Sequence, residues 1–146
     1  MGALRGRTAF MSGGSRGIGL AIAKRLAGAG ANVAFMAKTD QPHPKLPGTV
    51  HTAAAEIEAA GGRALPIVGD IRDADAVEAA VAETVAELGG IDICVNNASA
   101  LNLAPMRDLP VKRYDLLQEV NARGTYVVTR ACLPHLRASD HAHVLT

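Results

Sequence analysis

The 146-residue sequence has no tryptophan, few other aromatic residues and almost no excess of either charge. Its 15 basic side chains exceed its 14 acidic ones by one, so it lacks the cationic surplus that a run of nucleic-acid phosphates requires. Its apolar runs are much shorter than the roughly 20 residues of a membrane-spanning helix, and its first residues lack the apolar segment of a secretory signal. We therefore expect a cytoplasmic protein with neither a nucleic-acid nor a membrane partner.

Cysteine and histidine are also scarce. The two cysteines, Cys94 and Cys132, lie in apolar stretches, which favours reduced core thiols over a disulfide or a nucleophile. Of the five histidines, only His141 and His143 come close together, and no third ligand accompanies them. The sequence predicts no metal site.

Short apolar runs alternate with segments of helical period. The run from Thr8 to Met11 breaks at glycines, after which Ile18, Ile22 and Leu26 recur every four residues, so a strand, a turn and a helix are predicted. The later strands are predicted at 33–37, 64–68, 91–95 and 143–146, and the later helices at 52–60, between Asp73 and Gly89, and at about 111–137 with an interruption near Gly124 or Pro134.

This alternation predicts an α/β protein with right-handed crossovers and a parallel sheet covered on both faces. In such a doubly wound sheet, ligands bind beyond the carboxyl ends of the strands. The residues that follow the predicted strands are therefore the first candidates for a functional site.

The strongest motif follows the first strand and has glycines spaced as G-x-x-x-G-x-G. Glycines allow a tight turn and a close approach of the backbone to a pyrophosphate, and the following helix offers free N–H groups and the positive end of its dipole. Although such a turn can be purely structural, we predict that it binds a dinucleotide. The residues concerned are Gly13, Gly14, Ser15, Arg16, Gly17, Ile18 and Gly19.

Three further features support this interpretation. Asp70 and Ile71 end the third strand, where a carboxylate and the next N–H can bind an adenine edge, although a loop carboxylate is an ordinary alternative. Asn96 and Asn97 end the fourth strand, where they could serve a turn or meet a ligand. Asn121 lies inside a predicted helix, where asparagine is unfavourable unless it is solvated or has a specific role.

In this order, the motifs resemble those of the short-chain dehydrogenase/reductase family, with Ser12 in place of a threonine and Ser99 in place of a glycine. Residues 37–49 and 96–100 are most similar to a hydroxysteroid dehydrogenase-like branch. The resemblance implies a doubly wound Rossmann fold with three α/β/α layers, a small carbonyl or alcohol substrate, and a homo-oligomer. It also implies that Asn97 binds near the nicotinamide-side ribose.

The choice of cofactor follows from the end of the second strand. An acidic residue there would bind the adenosine ribose and repel a 2′-phosphate, but this chain has Ala37 followed by Lys38. Lys38 and Arg16 could both bind a 2′-phosphate, unless they are merely solvated. We therefore predict NADP(H) in preference to NAD(H).

The resemblance implies a catalytic serine, tyrosine and lysine together with an asparagine that serves a water relay. Of these four residues, only the asparagine matches a position in this sequence, Asn121. Tyr114 and Tyr126 are not followed four residues later by lysine, and we expect the other three residues beyond Thr146. Residues 1–146 are thus expected to be the N-terminal part of one NADP(H)-binding domain, truncated after its fifth strand and inactive alone. The competing interpretations are a dinucleotide-binding module without catalysis and an α/β scaffold without a cofactor.

Overall fold

The computed structural model describes residues 2–146, and its strands form one fully parallel sheet. The strand order is β3-β2-β1-β4-β5, so the chain winds outward from β1 in both directions. This confirms the predicted doubly wound Rossmann fold. The strands are β1 (Thr8–Ser12), β2 (Asn32–Ala37), β3 (Ala64–Val68), β4 (Ile93–Asn96) and β5 (His143–Leu145).

Helices cover both faces of the sheet. Alternate side chains of β1 enter opposite layers: Met11 packs with α1 and α2, whereas Phe10 packs with α3 and α5. Both are fully buried, as expected for a central parallel strand. The helices are α1 (Gly17–Gly28), α2 (Val50–Ala59), α3 (Ala74–Leu88), α4 (Val111–Gln118) and α5 (Thr125–Ala138).

Two predicted boundaries were wrong by two residues. Helix α2 begins at Val50 rather than at Thr52, because Thr49 caps it: the Thr49 side chain accepts from the Thr52 N–H, and the Thr52 hydroxyl accepts from the Thr49 N–H. Strand β4 begins at Ile93 rather than at Ile91, and the side chain of Asp92, just before it, accepts from the Thr8 N–H of β1.

The predicted long helix is divided by a π-helical segment, Glu119–Gly124, between α4 and α5. The interruption therefore lies at the Gly124 position. Pro134 lies inside α5 without ending it. A single 3₁₀ turn, Met106–Asp108, precedes α4.

The amino edge of the sheet is fastened by Asp92. Its carboxylate accepts hydrogen bonds from the Thr8 N–H at 2.8 Å, the Ser139 hydroxyl at 2.6 Å and the Arg7 guanidinium at 3.2 Å. Burial alone would raise the pKa of Asp92, but these three donors outweigh it and lower the pKa below its ordinary value. This side chain joins the start of β1 to the end of α5.

The core contains both cysteines. Cys94 and Cys132 are free and buried in the layer that holds α3 and α5, in agreement with their predicted role as core thiols. Within residues 2–146, no helix is both long and apolar enough to cross a membrane.

Candidate functional site

A cleft of about 630 Å³ lies beyond the carboxyl ends of the strands. It brings together residues that are far apart in the sequence, because parallel strands end at the same edge of the sheet. Every predicted cofactor-binding residue except Gly14 lines it: Gly13, Ser15, Arg16, Gly17, Ile18, Gly19, Lys38, Asp70, Ile71 and Asn97.

Gly14 and Gly19 shape the turn through close packing. A Cβ on Gly14 would lie 2.8 Å from the Phe35 Cβ, so this glycine lets the turn rest on β2 instead of facing the cleft. A Cβ on Gly19 would lie 2.0 Å from the Gly13 carbonyl oxygen. The turn and helix α1 can therefore pack this closely only because position 19 has no side chain.

The first turn of α1 faces the cleft. Its N-cap residue, Arg16, makes no side-chain capping hydrogen bond, and the next three residues, Gly17, Ile18 and Gly19, line the cleft. This end of a 12-residue helix offers N–H groups and a positive dipole to an anion. The Arg16 guanidinium instead donates a hydrogen bond to the Thr39 hydroxyl, on the loop after β2.

Hydrogen bonds join the ends of β1 and β4. The Ser12 hydroxyl oxygen accepts from the N–H groups of Asn97 and Ala98, each at 3.2 Å, and the Asn97 Nδ2 donates to the Gly13 carbonyl at 2.6 Å. Asn96 points elsewhere: its Nδ2 donates to the Thr129 hydroxyl of α5 at 2.9 Å. Of the adjacent asparagines, Asn97 is therefore the one that lines the cleft.

Asp70 is held by a cation that the sequence reasoning missed. The Arg72 side chain binds both carboxylate oxygens, with Nη2 at 2.6 Å and Nε at 3.0 Å from Oδ2, and its backbone N–H donates to Oδ1 at 3.0 Å. These hydrogen bonds from Arg72 lower the pKa of Asp70 to about 2, with a smaller contribution from Lys38, whose Nζ lies 3.5 Å from Oδ2. Asp70 is therefore a fixed carboxylate at neutral pH.

Arg72 also connects the cleft to the π-helical segment. Its Nη1 lies 3.8 Å from the Glu119 carboxylate, and its backbone carbonyl accepts from the Arg123 guanidinium at 2.6 Å. The loop after β3 is thus held from both sides, by Asp70 within the loop and by charged residues of the helical layer.

Asn121 lies outside the cleft lining. Its Oδ1 accepts from the Ala100 N–H and its Nδ2 donates to the Ala100 carbonyl, both at 2.9 Å. Its own backbone carbonyl accepts from the Thr125 hydroxyl at 2.8 Å. The Asn121 side chain therefore fastens the segment after β4, of which Ser99 and Ala100 line the cleft.

The cleft also includes residues that were not predicted as site residues, among them Thr39, Leu46, Arg72, Leu116 and Val120. The position of Arg72 two residues after Asp70 was a signal that could have been used. Leu46 lies within the long loop between β2 and α2, and only the three-dimensional course of that loop reveals its place in the cleft. The residues from 2 to 146 contain no group of three or more His, Cys, Asp or Glu side chains placed to hold a metal ion.

The parallel sheet, the glycine turn and the cleft at the strand ends define an α/β protein of the doubly wound Rossmann type. The family model for short chain dehydrogenases matches residues 7–146, so the chain belongs to the short-chain dehydrogenase family.

Known relatives agree with this assignment. The human hydroxysteroid dehydrogenase-like protein 2 is 55% identical over 144 residues, covering 99% of this chain and 34% of that protein. A short chain dehydrogenase from Mycobacterium thermoresistibile superposes with a TM-score of 0.94 at 65% identity, covering 97% of this chain and 51% of the other. A short-chain dehydrogenase/reductase from Serratia marcescens gives a TM-score of 0.84 at 36% identity, covering 97% and 54%. The chain thus spans about a third of the length of the curated relatives it matches.

Proposed function

We propose that the cleft binds NADP(H) and that the full-length protein transfers a hydride between this cofactor and a carbonyl or secondary alcohol. The observation that carries the proposal is the convergence, in one cleft, of the glycine turn with Lys38, Asp70 and Asn97. Those residues come from the ends of all four strands β1 to β4. A catalytically empty module and a scaffold without cofactor are the competing hypotheses.

The residues present fit a dinucleotide along the length of the cleft. The uncapped first turn of α1 and the backbone of Gly13 to Gly19 suit a pyrophosphate. Asp70 and the Ile71 N–H would bind the adenine edge, and Asn97 would lie beside the nicotinamide-side ribose. The cofactor, when bound, supplies or accepts the hydride, while the chain binds and orients it.

The end of β2 supports the preference for NADP(H). Ala37 leaves the adenosine ribose without the carboxylate that would repel a 2′-phosphate, and Lys38 and Arg16 both line this part of the cleft. Lys38 lies near Asp70, but its side chain is 66% exposed and can reach another anion. Arg16 is already oriented by its bond to Thr39. Two cations near the end of β2, of which only Lys38 is close to a carboxylate, favour a phosphate there.

Asn121 is proposed to support the water of a proton relay. Each polar group of its side chain makes one hydrogen bond to Ala100, so a second lone pair of Oδ1 and a second N–H of Nδ2 remain for a water molecule. The serine, tyrosine and lysine implied by family resemblance match no position within residues 1–146. We propose that they follow in the full-length protein.

The substitution Lys38→Asp tests the cofactor assignment. We expect NADPH to bind at least about tenfold more weakly, because a charge-assisted hydrogen bond worth roughly 1.5–3 kcal/mol is replaced by repulsion, and NADH to bind as well or better. Titration of the purified full-length protein with each cofactor, followed by reduced-nicotinamide fluorescence, measures this. Lys112→Asp, an exposed cation of α4 outside the cleft lining, is the matched control and should bind like the wild type.

Turnover separates the competing hypotheses. A reductase oxidises NADPH in the presence of a carbonyl substrate panel, whereas an empty module binds NADPH without turnover, and a scaffold does not bind it. Equal affinity of the wild type for NADH and NADPH would refute the NADP(H) preference. A cytoplasmic homo-oligomer is proposed for the full-length protein, and sedimentation velocity measures its oligomeric state.

A further inference from the structure

The loop between β2 and α2 is closed at its base and stiffened along its length. The Val50 N–H donates to the Thr39 carbonyl at 2.9 Å, so the two ends of the loop meet as in an Ω-loop. An internal turn, in which the Leu46 N–H donates to the His43 carbonyl at 3.2 Å, folds the tip back. Three prolines restrict the backbone between these bonds: Pro42, Pro44 and Pro47.

This loop is seated on the glycine turn. Arg16 reaches across to the Thr39 hydroxyl at one end of the loop. Near the other end, the backbone at Gly48 runs so close to Ser15 that a Cβ on Gly48 would lie 3.2 Å from the Ser15 carbonyl oxygen. The loop is therefore fixed beside the turn that is proposed to bind pyrophosphate.

Leu46 is the one long aliphatic side chain between Thr39 and Thr49, and it lines the cleft. It is 46% exposed, so the protein itself covers only about half of this apolar group. The same cleft contains the charged group of Lys38, Asp70 and Arg72, whose polar atoms bind one another. A half-exposed leucine and a polar cluster that line one cleft suit a flat heteroaromatic ring, which has apolar faces and a polar rim.

We propose that Leu46 covers one face of the adenine ring of the bound dinucleotide, and that loop 39–50 is a fixed adenosine-binding element. The inference rests on the proposed binding of NADP(H) and adds a specificity-determining contact to it. Leu46 contributes apolar area to the adenosine half alone, whereas Asp70 and Ile71 would meet the ring edge.

Leu46→Ala tests this contact with two probes, NADPH and adenosine 2′,5′-bisphosphate, titrated calorimetrically into the purified full-length protein. Because the lost area lies against adenine, we expect both ligands to bind about threefold to tenfold more weakly, by the same factor. Leu46→Met, which retains an apolar chain of similar volume, should remain within about twofold of the wild type. Leu133→Ala, on α5 and 43% exposed, is the matched control and should change neither affinity.

The outcomes distinguish this contact from the proposed function. If Leu46→Ala binds both probes as the wild type does, the adenine contact is refuted while NADP(H) binding stands. A loss confined to NADPH refutes it also, since the affected contact would then lie outside the adenosine half. If the wild type binds neither probe, both the contact and the proposed cofactor are overturned. Circular dichroism of each variant verifies that the helices and the sheet are retained.

Discussion

The glycine turn and helix α1 pack closely because Gly19 has no side chain. At Gly19 a Cβ would lie 2.0 Å from the Gly13 carbonyl oxygen and 2.5 Å from the Asn97 Nδ2. Those two groups are hydrogen-bonded to each other at 2.6 Å. A side chain at position 19 would therefore press on the bond that joins the turn to the end of β4.

The substitution Gly19→Ala should destabilise the protein even though alanine favours helices. We expect a loss of about 1–3 kcal/mol in the free energy of unfolding, because backbone atoms must move to relieve the overlap. Cofactor binding should weaken as well, since the displaced turn lines the cleft. Urea denaturation and an NADPH titration measure the two effects.

Gly90→Ala is the control for that experiment. A Cβ on Gly90 would meet no heavy atom within 4 Å, so alanine there should change stability by less than about 0.5 kcal/mol. Equal destabilisation by the two substitutions would show that the close approach at Gly19 has no energetic consequence.

Among the elements, the π-helical segment has the most direct bearing on the cleft. It carries Asn121, whose two hydrogen bonds hold Ala100, and it carries Arg123, which holds the Arg72 carbonyl. The segments that follow β3 and β4 are therefore both fastened to the same irregular turn. The π-helical segment, which lies between α4 and α5, thus holds two of the loops that line the cleft.

Asn121→Ala should release the segment after β4. Two solvent-accessible hydrogen bonds are lost, so we expect about 1–2 kcal/mol of destabilisation, together with faster hydrogen exchange at the Ala100 amide. Asn102→Ala, which removes one local bond to the Ala104 N–H, is the matched control and should cost about 0.5 kcal/mol. Unchanged exchange at Ala100 in the Asn121 variant would contradict the positioning role.

Most of the elements could be predicted because their signals are local. Apolar periodicity located the strands and helices, and the glycine turn located the first part of the cleft. The errors arose where a contact between particular side chains, rather than apolar periodicity, decides the structure. The early start of α2 depends on Thr49 and Thr52 capping each other, and the π-helical turn is held by Asn121 binding a loop 21 residues earlier.

The site was predictable to the same extent. The ends of the strands can be located in the sequence, and ten of the eleven predicted cofactor-binding residues line the cleft. Leu46 was missed because a proline-rich loop gives no periodic signal about where its tip will lie. Arg72 was missed although its position two residues after Asp70 made an ion pair possible, because spacing alone does not fix the side-chain direction on which the pair depends.

For the whole molecule, the hydrogen-bonded carboxylates of Asp70 and Asp92 make the free energy of unfolding sensitive to acid pH. The pKa of Asp70 is about 2, and that of Asp92 also lies below its ordinary value, whereas in the unfolded chain both return to that value. A carboxylate with a lowered folded-state pKa stabilises the fold above its unfolded pKa, and this contribution is lost as the pH falls through the folded value. Unfolding should therefore become easier between about pH 4 and pH 2.

Asp70→Asn tests this dependence. At neutral pH we expect it to be less stable by on the order of 1 kcal/mol, with the difference closing near pH 2, because only the charged form of Asp70 gains from Arg72. Urea denaturation of the cofactor-free protein at several pH values measures the difference. Asp115→Asn, an exposed carboxylate of α4, is the control. A stability gap that stays constant down to pH 2 would argue against the ion pair as its source.

The hydroxyl oxygen of Ser12 joins the end of β1 to the segment that follows β4. Since Ser12 accepts from both Asn97 and Ala98, the loops that follow β1 and β4 cannot separate without breaking two hydrogen bonds at once. The ordering entropy of this part of the site is therefore lost during folding rather than at the moment of ligand capture. The dinucleotide proposed for this cleft would meet a preorganised surface there, and the free energy of its contacts would be available for affinity instead of for assembling the cleft.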